Sequence, residues 1–410
     1  MKIALVSAHV SPLATVGGTG SGSQIVYVGE LAAELGRRGH QVTIYTRRDS
    51  ATLPERVRIG PGVMVEHVPA GPPHALGTDK QLPCMAQFGG YLADRWLREP
   101  PDIVHAHFWI SGLAALTGAR DLGLPVVQTF HGLGVTARRM DSGQDRVSPA
   151  RIRLEVAIAR GVNTVLATTS DEAFELTRLG VSRSTVRVVP PGVDVEEFSP
   201  EGNIAQRDER TRLVSVAQLT KHDGIDDALS ALSAVPDSEL LVIGGPTKAQ
   251  LRRDREYRRL AKLAGQLGVA DRVKFCGRTG RRDMPALLRS ADLVVSVPWH
   301  ACAGLVPLEA MACGKPVVAS AVGGHTDTVV DGTTGVLIPP EQPQVLARNI
   351  RELIANPMLR QGYGIAGADR ARARYSWQRI SSETLAAYER VRRPRAKRQM
   401  EAASTSACGL

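Results

Sequence analysis

Apolar residues along this chain follow two alternating patterns. The runs "KIALVSA", "QVTIYT", "DIVHAHF", "PVVQTF", "NTVLATT" and "VRVVPPG" are followed by "RLVSVAQ", "ELLVIGG", "DRVKFCG", "DLVVSVP", "PVVAS" and "GVLIPP". Each is short and continuously apolar rather than alternating, which predicts buried parallel strands covered on both faces. Between them lie stretches such as "QIVYVGELAAELGRRGH" and "IDDALSALSAVPD", whose apolar residues recur at helical spacing. Strand and helix in turn predict repeated βα units.

A chain of 410 residues exceeds one ordinary core, since domains run to roughly 100 to 200 residues. The polar stretch "SPEGNIAQRDERTR", between the sixth and seventh runs, divides it. One α/β lobe is expected over 1–200 and a second over 201–370. A final helix at about 375–395 is expected to pack back on the first lobe, and 396–410 reads as a disordered tail. Ligands of open parallel sheets bind beyond the C-terminal strand ends, so two facing lobes place a substrate in the cleft between them.

Composition narrows the class. With 43% hydrophobic, 22% charged and 4% aromatic residues the chain is globular. Its net charge of +10 would favour anionic partners. However, the densest basic run, "RVRRPRAKRQ", lies near the C-terminus, and no aromatic-studded strand or zinc-finger spacing accompanies it. Nucleic acid is therefore not the expected partner. Five cysteines without a close pair fit reduced thiols, and no signal peptide or run approaching a membrane span is visible, so a cytoplasmic protein is expected.

Candidate chemistry gathers at glycine turns and strand ends. In "VGGTGSGSQ", Gly18, Gly20 and Gly22 allow close approach of a ligand to backbone amides before a helix N-terminus. In "SAVGGHTDTVV", Gly323 and Gly324 would present amides to a phosphate, with His325 and Thr326 at a helix start. Both turns also suit plain strand-to-helix connections, and the residues leave the two readings open. Glu309 lies in a helix expected between Gly304 and Gly314; being buried, it needs hydrogen-bond partners, and sugar hydroxyls fit it better than an arginine. His131 and His107 follow strands at the end where sites collect, with His107 the more structural of the two. No Ser-His-Asp order, metal-ligand spacing or Walker loop is present.

The stretch "GLVPLEAMACGKPVVASAVGGHTDTVVDGTTGVLIPP" resembles the donor-binding signature of retaining glycosyltransferases of the sucrose-phosphate synthase and mycothiol inositol-phosphate transferase type (glycosyltransferase family 4-like). "GGTGSGSQIVYVGELAAELGRRGHQVTIYTRRD", "PDIVHAHFWISGLAAL", "PVVQTFHGLG", "VVPPGVD" and "DMPALLRSADLVVSVPW" follow the family's order. The resemblance implies the GT-B architecture: two Rossmann-like doubly wound lobes, acceptor held by the first and donor by the second, with no metal or other cofactor. It implies a catalytic role for His131 and ribose binding for Glu309. Donor contacts are implied for Gly304, Leu305, Gly323, Gly324, His325 and Asp327, and acceptor-side or phosphate-loop contacts for Gly18, Gly20, Gly22 and His107.

The chain also departs from the family. Ala301 stands where a first Glu grips the donor hexose, and Cys302 and Ala303 replace Pro and Phe. Gln218 and Asp223 stand where an Arg and a Lys neutralise the leaving diphosphate, a contribution of several kcal/mol in comparable sites. Lys221 and His222 lie between them as partial substitutes, and Gly20 and Ile25 replace an Asp and an Asn. The expected activity is transfer from a nucleotide-linked or otherwise activated sugar to a small polar acceptor, in specialised metabolism such as antibiotic biosynthesis. Two alternatives are a phosphopentose donor such as phosphoribosyl diphosphate, and a degenerate homologue acting as a binding or partner protein. Peripheral membrane association through basic first-lobe helices rests on family analogy alone.

Overall fold

In the computed structural model, which describes residues 1–14, 22–140 and 148–392, each of the twelve apolar runs contains a strand. Those of the first half are β1 (Lys2–Val6), β2 (Gln41–Arg47), β5 (Ile103–His107), β6 (Val126–Thr129), β7 (Thr164–Ala167) and β8 (Val186–Val188). The sequence reading missed β3 (Arg56–Gly60) and β4 (Val63–Val68). β3 is a charged edge strand, antiparallel to β4. β4 is buried but interrupted by Glu66, whose carboxylate is held by Arg56 at 2.8 Å and the Tyr91 hydroxyl at 2.9 Å. Among the described residues this sheet has the order β3-β4-β2-β1-β5-β6-β7-β8.

The second sheet comprises β9 (Thr211–Val216), β10 (Ser238–Ile243), β11 (Val273–Gly277), β12 (Leu293–Ser296), β13 (Val317–Ser320) and β14 (Gly335–Ile338), in the order β11-β10-β9-β12-β13-β14 and parallel throughout. Both sheets thus extend in two directions from a central first strand, as doubly wound folds do. The edge strands β8 and β11 are only partly buried, unlike the fully covered strands their apolar runs predict. No helix of the described residues is long and apolar enough to cross a membrane.

The polar stretch 199–212 is not a free linker. Phe198 is buried in the second lobe's core, and Arg289 donates to the carbonyls of Asn203 at 2.8 Å and Ser199 at 3.1 Å, fastening the stretch to that lobe. The chain crosses between lobes earlier, beside Val193, whose amide donates to Tyr375 O at 2.8 Å. It crosses back at Ser376, and the helix Trp377–Arg392 packs its Trp377, Ile380 and Tyr388 against Leu31 and Leu35 of the helix Gly22–Arg37. Gly192 allows this return, since a Cβ there would lie 2.6 Å from the Trp377 indole. The end of the chain from 393, including the expected tail, lies outside the described residues, as do Gly18 and Gly20.

Ion pairs across β9, β10 and β11 brace the second sheet. Arg212 on β9 and Glu239 on β10 are 3% and 1% exposed and meet at 2.6 Å, with Ser290 accepting a further Arg212 N–H at 3.1 Å. Removing Arg212 leaves the buried Glu239 carboxylate to Lys274 of β11 alone, a half-exposed amine 2.9 Å from its other oxygen, and breaking a buried pair is costly. Arg212→Met is expected to destabilise this lobe by about 3 kcal/mol, the low end for a broken buried pair because Lys274 remains, read as an earlier urea transition, and the double variant with Glu239→Leu to recover part of the loss. A single variant as stable as the parent would show that the pair contributes nothing.

Candidate functional site

Two cavities open side by side in the cleft. The first, of about 340 Å³, is lined from the first lobe by His9, Gln24, Phe108, His131 and Arg151. The second, of about 280 Å³, is lined from the second lobe by Ser215, Asp223, Ala301, Gly304 and His325. Ser23, His300 and Cys302 line both, so the chambers share a wall built from the two lobes.

In the first chamber, β5 and β6 run side by side and deliver His107 and His131 together. His131 stands just beyond β6 in the left-handed region, φ 57°, and Gly132 follows at φ 111°. This turn is tied down: Gly132 N–H donates to Glu172 Oε1 at 3.2 Å, and Arg151 donates to Gly132 O at 3.1 Å and to Glu155 at 2.7 Å. His131 Nε2 lies 3.0 Å from His107 Nδ1. Burial, and then the proximity of His107, pushes the His131 pKa well below the usual imidazole range; for His107 burial is followed by the neighbouring His105. His107 itself is fully buried and reaches the chamber only through His131. His9 stacks on Phe108 at 4.2 Å, and burial followed by the Arg151 charge lowers its pKa to about 3. Gly22 opens the helix whose next residues, Ser23 and Gln24, face this cavity.

The second chamber rests on two interlocked glycine turns. Gly304, φ 64°, caps the helix Leu305–Ala312, and both Gly304 and Leu305 line the cavity. Gly323, φ 45°, has no room for a Cβ, which would lie 2.0 Å from Ala301 O. Of the two amides expected to meet a phosphate, that of Gly324 donates to Ala301 O at 2.9 Å, and the next two amides donate within the turn, His325 to Val322 O at 3.1 Å and Thr326 to Gly323 O at 3.2 Å. His325 lines the chamber but is held between Ser320 O at 3.0 Å and Ser296 Oγ at 3.4 Å, and burial lowers its pKa to about 4.

Three assigned contacts are placed differently from expectation. Glu309 Oε1 accepts from Arg281 Nη1 at 2.7 Å, so the carboxylate expected to await hydroxyls has an arginine partner, stacked in turn over Phe198 at 4.9 Å. Asp327 faces the first lobe, accepting from Ser170 N–H at 2.7 Å across the seam. Lys221 is exposed and extends over Trp299 at 5.6 Å, away from the chamber lining. Asp223 does line it, with Oδ2 accepting from the Thr220 amide at 3.0 Å and from its hydroxyl in a capping box. Among the described residues, this chamber is lined by one carboxylate and no Lys or Arg side chain.

The arrangement offers room for two small polar ligands in adjoining chambers, with the imidazole of His131 in the wall of the first. Sequence reasoning missed His9, Arg151 and His300, which carry no local motif, and Ser23, which lies within the first glycine stretch; the strand-end rule would have flagged His9, just after β1.

Two family descriptions match the halves of the chain: Glycosyltransferase Family 4 over 24–197 and Glycosyl transferases group 1 over 198–370. The D-inositol 3-phosphate glycosyltransferase of Nocardiopsis dassonvillei is 34% identical, covering 96% of each chain, and that of Actinosynnema mirum is also 34% identical, covering 95% and 97%. Sucrose-phosphate synthase from Thermosynechococcus elongatus superposes with a TM-score of 0.85 at 27% identity, covering 98% of this chain and 99% of that one. Anabaena HepE, solved with UDP and glucose, superposes at 0.72 and 20% identity, covering 95% and 99%.

Proposed function

This chain is a glycosyltransferase of the family 4 type with GT-B architecture, and on that premise we propose that it transfers a sugar, with retention, from a nucleotide-linked donor in the second chamber to a small polyol in the first. The observation that carries this reading is the shared wall of Ser23, His300 and Cys302, which brings two ligand-sized cavities together beside His131. The names of the relatives, which act on an inositol phosphate, and the UDP and glucose bound by HepE, support a cyclitol-like acceptor and a nucleotide sugar. Such chemistry rests on positioning and leaving-group electrostatics. The replaced charges at Gln218, Asp223 and Ala301 support a role in specialised metabolism with an unusual donor.

A second reading, a phosphopentose donor such as phosphoribosyl diphosphate, is favoured by one pair of observations. Ala301 offers no grip on a hexose, and the Arg281 contact takes up one oxygen of the carboxylate that would hold a nucleotide ribose.

Calorimetry and turnover with UDP-, GDP- and dTDP-sugars and phosphoribosyl diphosphate, each with inositol and inositol 3-phosphate, separate these readings. Turnover with a nucleotide sugar is expected. The triple variant Gln218→Arg, Asp223→Lys, Ala301→Glu is expected to bind UDP-hexoses at least tenfold more tightly, about 1.4 kcal/mol. Turnover with phosphoribosyl diphosphate alone selects the second reading. Binding only in the triple variant would mark the native site as a relic serving a binding or partner role.

A further inference from the structure

His131 and His107 form a buried imidazole pair whose proton must sit on one side or the other. Their contact joins His131 Nε2 to His107 Nδ1 at 3.0 Å. Two neutral rings make this bond only if one nitrogen donates and the other accepts, so choosing the donor fixes both tautomers. The surroundings decide the choice. His107 Nε2 is buried and has no hydrogen-bond partner among the described residues. Were His131 the donor, the His107 proton would reside on that Nε2 as an orphaned buried N–H, the rarer and costlier kind of unsatisfied group. With His107 Nδ1 as donor, Nε2 is a bare lone pair. A buried acceptor left without a partner is the less costly of the two arrangements.

His105 cannot take over this role, although its ring lies 4.1 Å from that of His107. Both its nitrogens are engaged, Nδ1 with the Tyr388 hydroxyl at 2.7 Å and Nε2 with Thr129 Oγ1 at 2.9 Å. We propose that His107 is a positioning residue that holds the proton of His131 on Nδ1, so that His131 meets a sugar or polyol in the first chamber as a neutral hydrogen-bond donor rather than as a base. The part that concerns sugar rests on the transfer reading above; the tautomer does not. Nδ1-protonation is the form an isolated histidine side chain favours less, so it needs a partner to impose it. His131 Nδ1 has no partner among the described residues, and His131 lines the first chamber. An N–H there suits a hydroxyl or ring oxygen with lone pairs to offer.

The test uses the full chain labelled with ¹⁵N in histidine, with His131 signals identified by their loss in His131→Gln. Two-bond proton–nitrogen correlations are expected to show a protonated Nδ1 and a bare Nε2. In His107→Phe the His131 proton is expected to move to Nε2 and kcat to fall about tenfold with KM little changed; His107→Asn, whose amide N–H takes the place of Nδ1–H, should restore both. A proton on His131 Nε2 in the parent, or an unchanged tautomer in a folded His107→Phe, overturns the proposal. Because the spectra need no turnover, failure of the transfer reading would appear as absent activity with the Nδ1 tautomer intact.

Discussion

Lowering the pH from 7 to 5 is expected to unfold the first lobe ahead of the second. Burial holds His9 and His105 at pKa values of about 3, against 6.5 for a free side chain. The unfolded chain therefore takes up protons that the folded lobe refuses. Stability contributed by the neutral rings is complete above pH 6.5 and is lost as pH falls from there toward 3. At pH 5 each of the two costs about 2 kcal/mol, and His107 and His131, whose pKa values are also depressed by burial, act in the same direction. That loss is a large part of a net stability of about 5–15 kcal/mol. In the second lobe His325, at about 4, carries a comparable shift, and His300 is lowered too, but only half-buried surroundings hold it. Trp96, Trp109 and Trp377 lie in the first lobe's cores, so tryptophan emission in a Trp299→Phe background reports that lobe. Full retention of native emission at pH 5 would contradict the expectation.

Removing His131 is expected to lower kcat by about 10²- to 10³-fold, the usual cost of deleting one donor aimed at developing charge. His131→Ala leaves His107 Nδ1 without its partner, which adds about 1–3 kcal/mol of destabilisation, so activity is to be compared below the variant's melting transition. Turnover within threefold of the parent would remove His131 from the catalytic machinery.

The strands were legible because parallel sheets bury both faces and leave continuous apolar runs; β3 and β4 were not, because charged side chains on them find partners far along the chain, as Glu66 does in Tyr91 and Arg95. The helix Pro357–Tyr375 escaped for a different reason. Except for Tyr375 at its end, its buried face is made of small residues, Gly364 against Gly314 and Gly367 against Met311, which hydropathy does not register. In the site, residues next to strand ends and glycine turns could be named in advance: His131, Gly304, Leu305 and His325 all line the cleft. What the sequence did not disclose was direction. Glu309 lies on the expected helix, yet its partner is 28 positions away, and Asp327 follows the expected turn but reaches Ser170, 157 positions away. The first pairing is fixed by how helices pack within the second lobe and the second by how the lobes face each other, and no local pattern encodes either.

The return of the final helix also sets an order of assembly. Strand β14 completes the second sheet, and Tyr375 is among the last residues of that lobe's core. Only afterwards do Trp377, Ile380 and Tyr388 cover Leu31 and Leu35. On the ribosome, where domains fold as they emerge, the lobe that is synthesised first waits with an open apolar face while the one behind it closes. That face stays open to aggregation until the segment through Tyr388 has been made, so the first half of this enzyme is finished after the second.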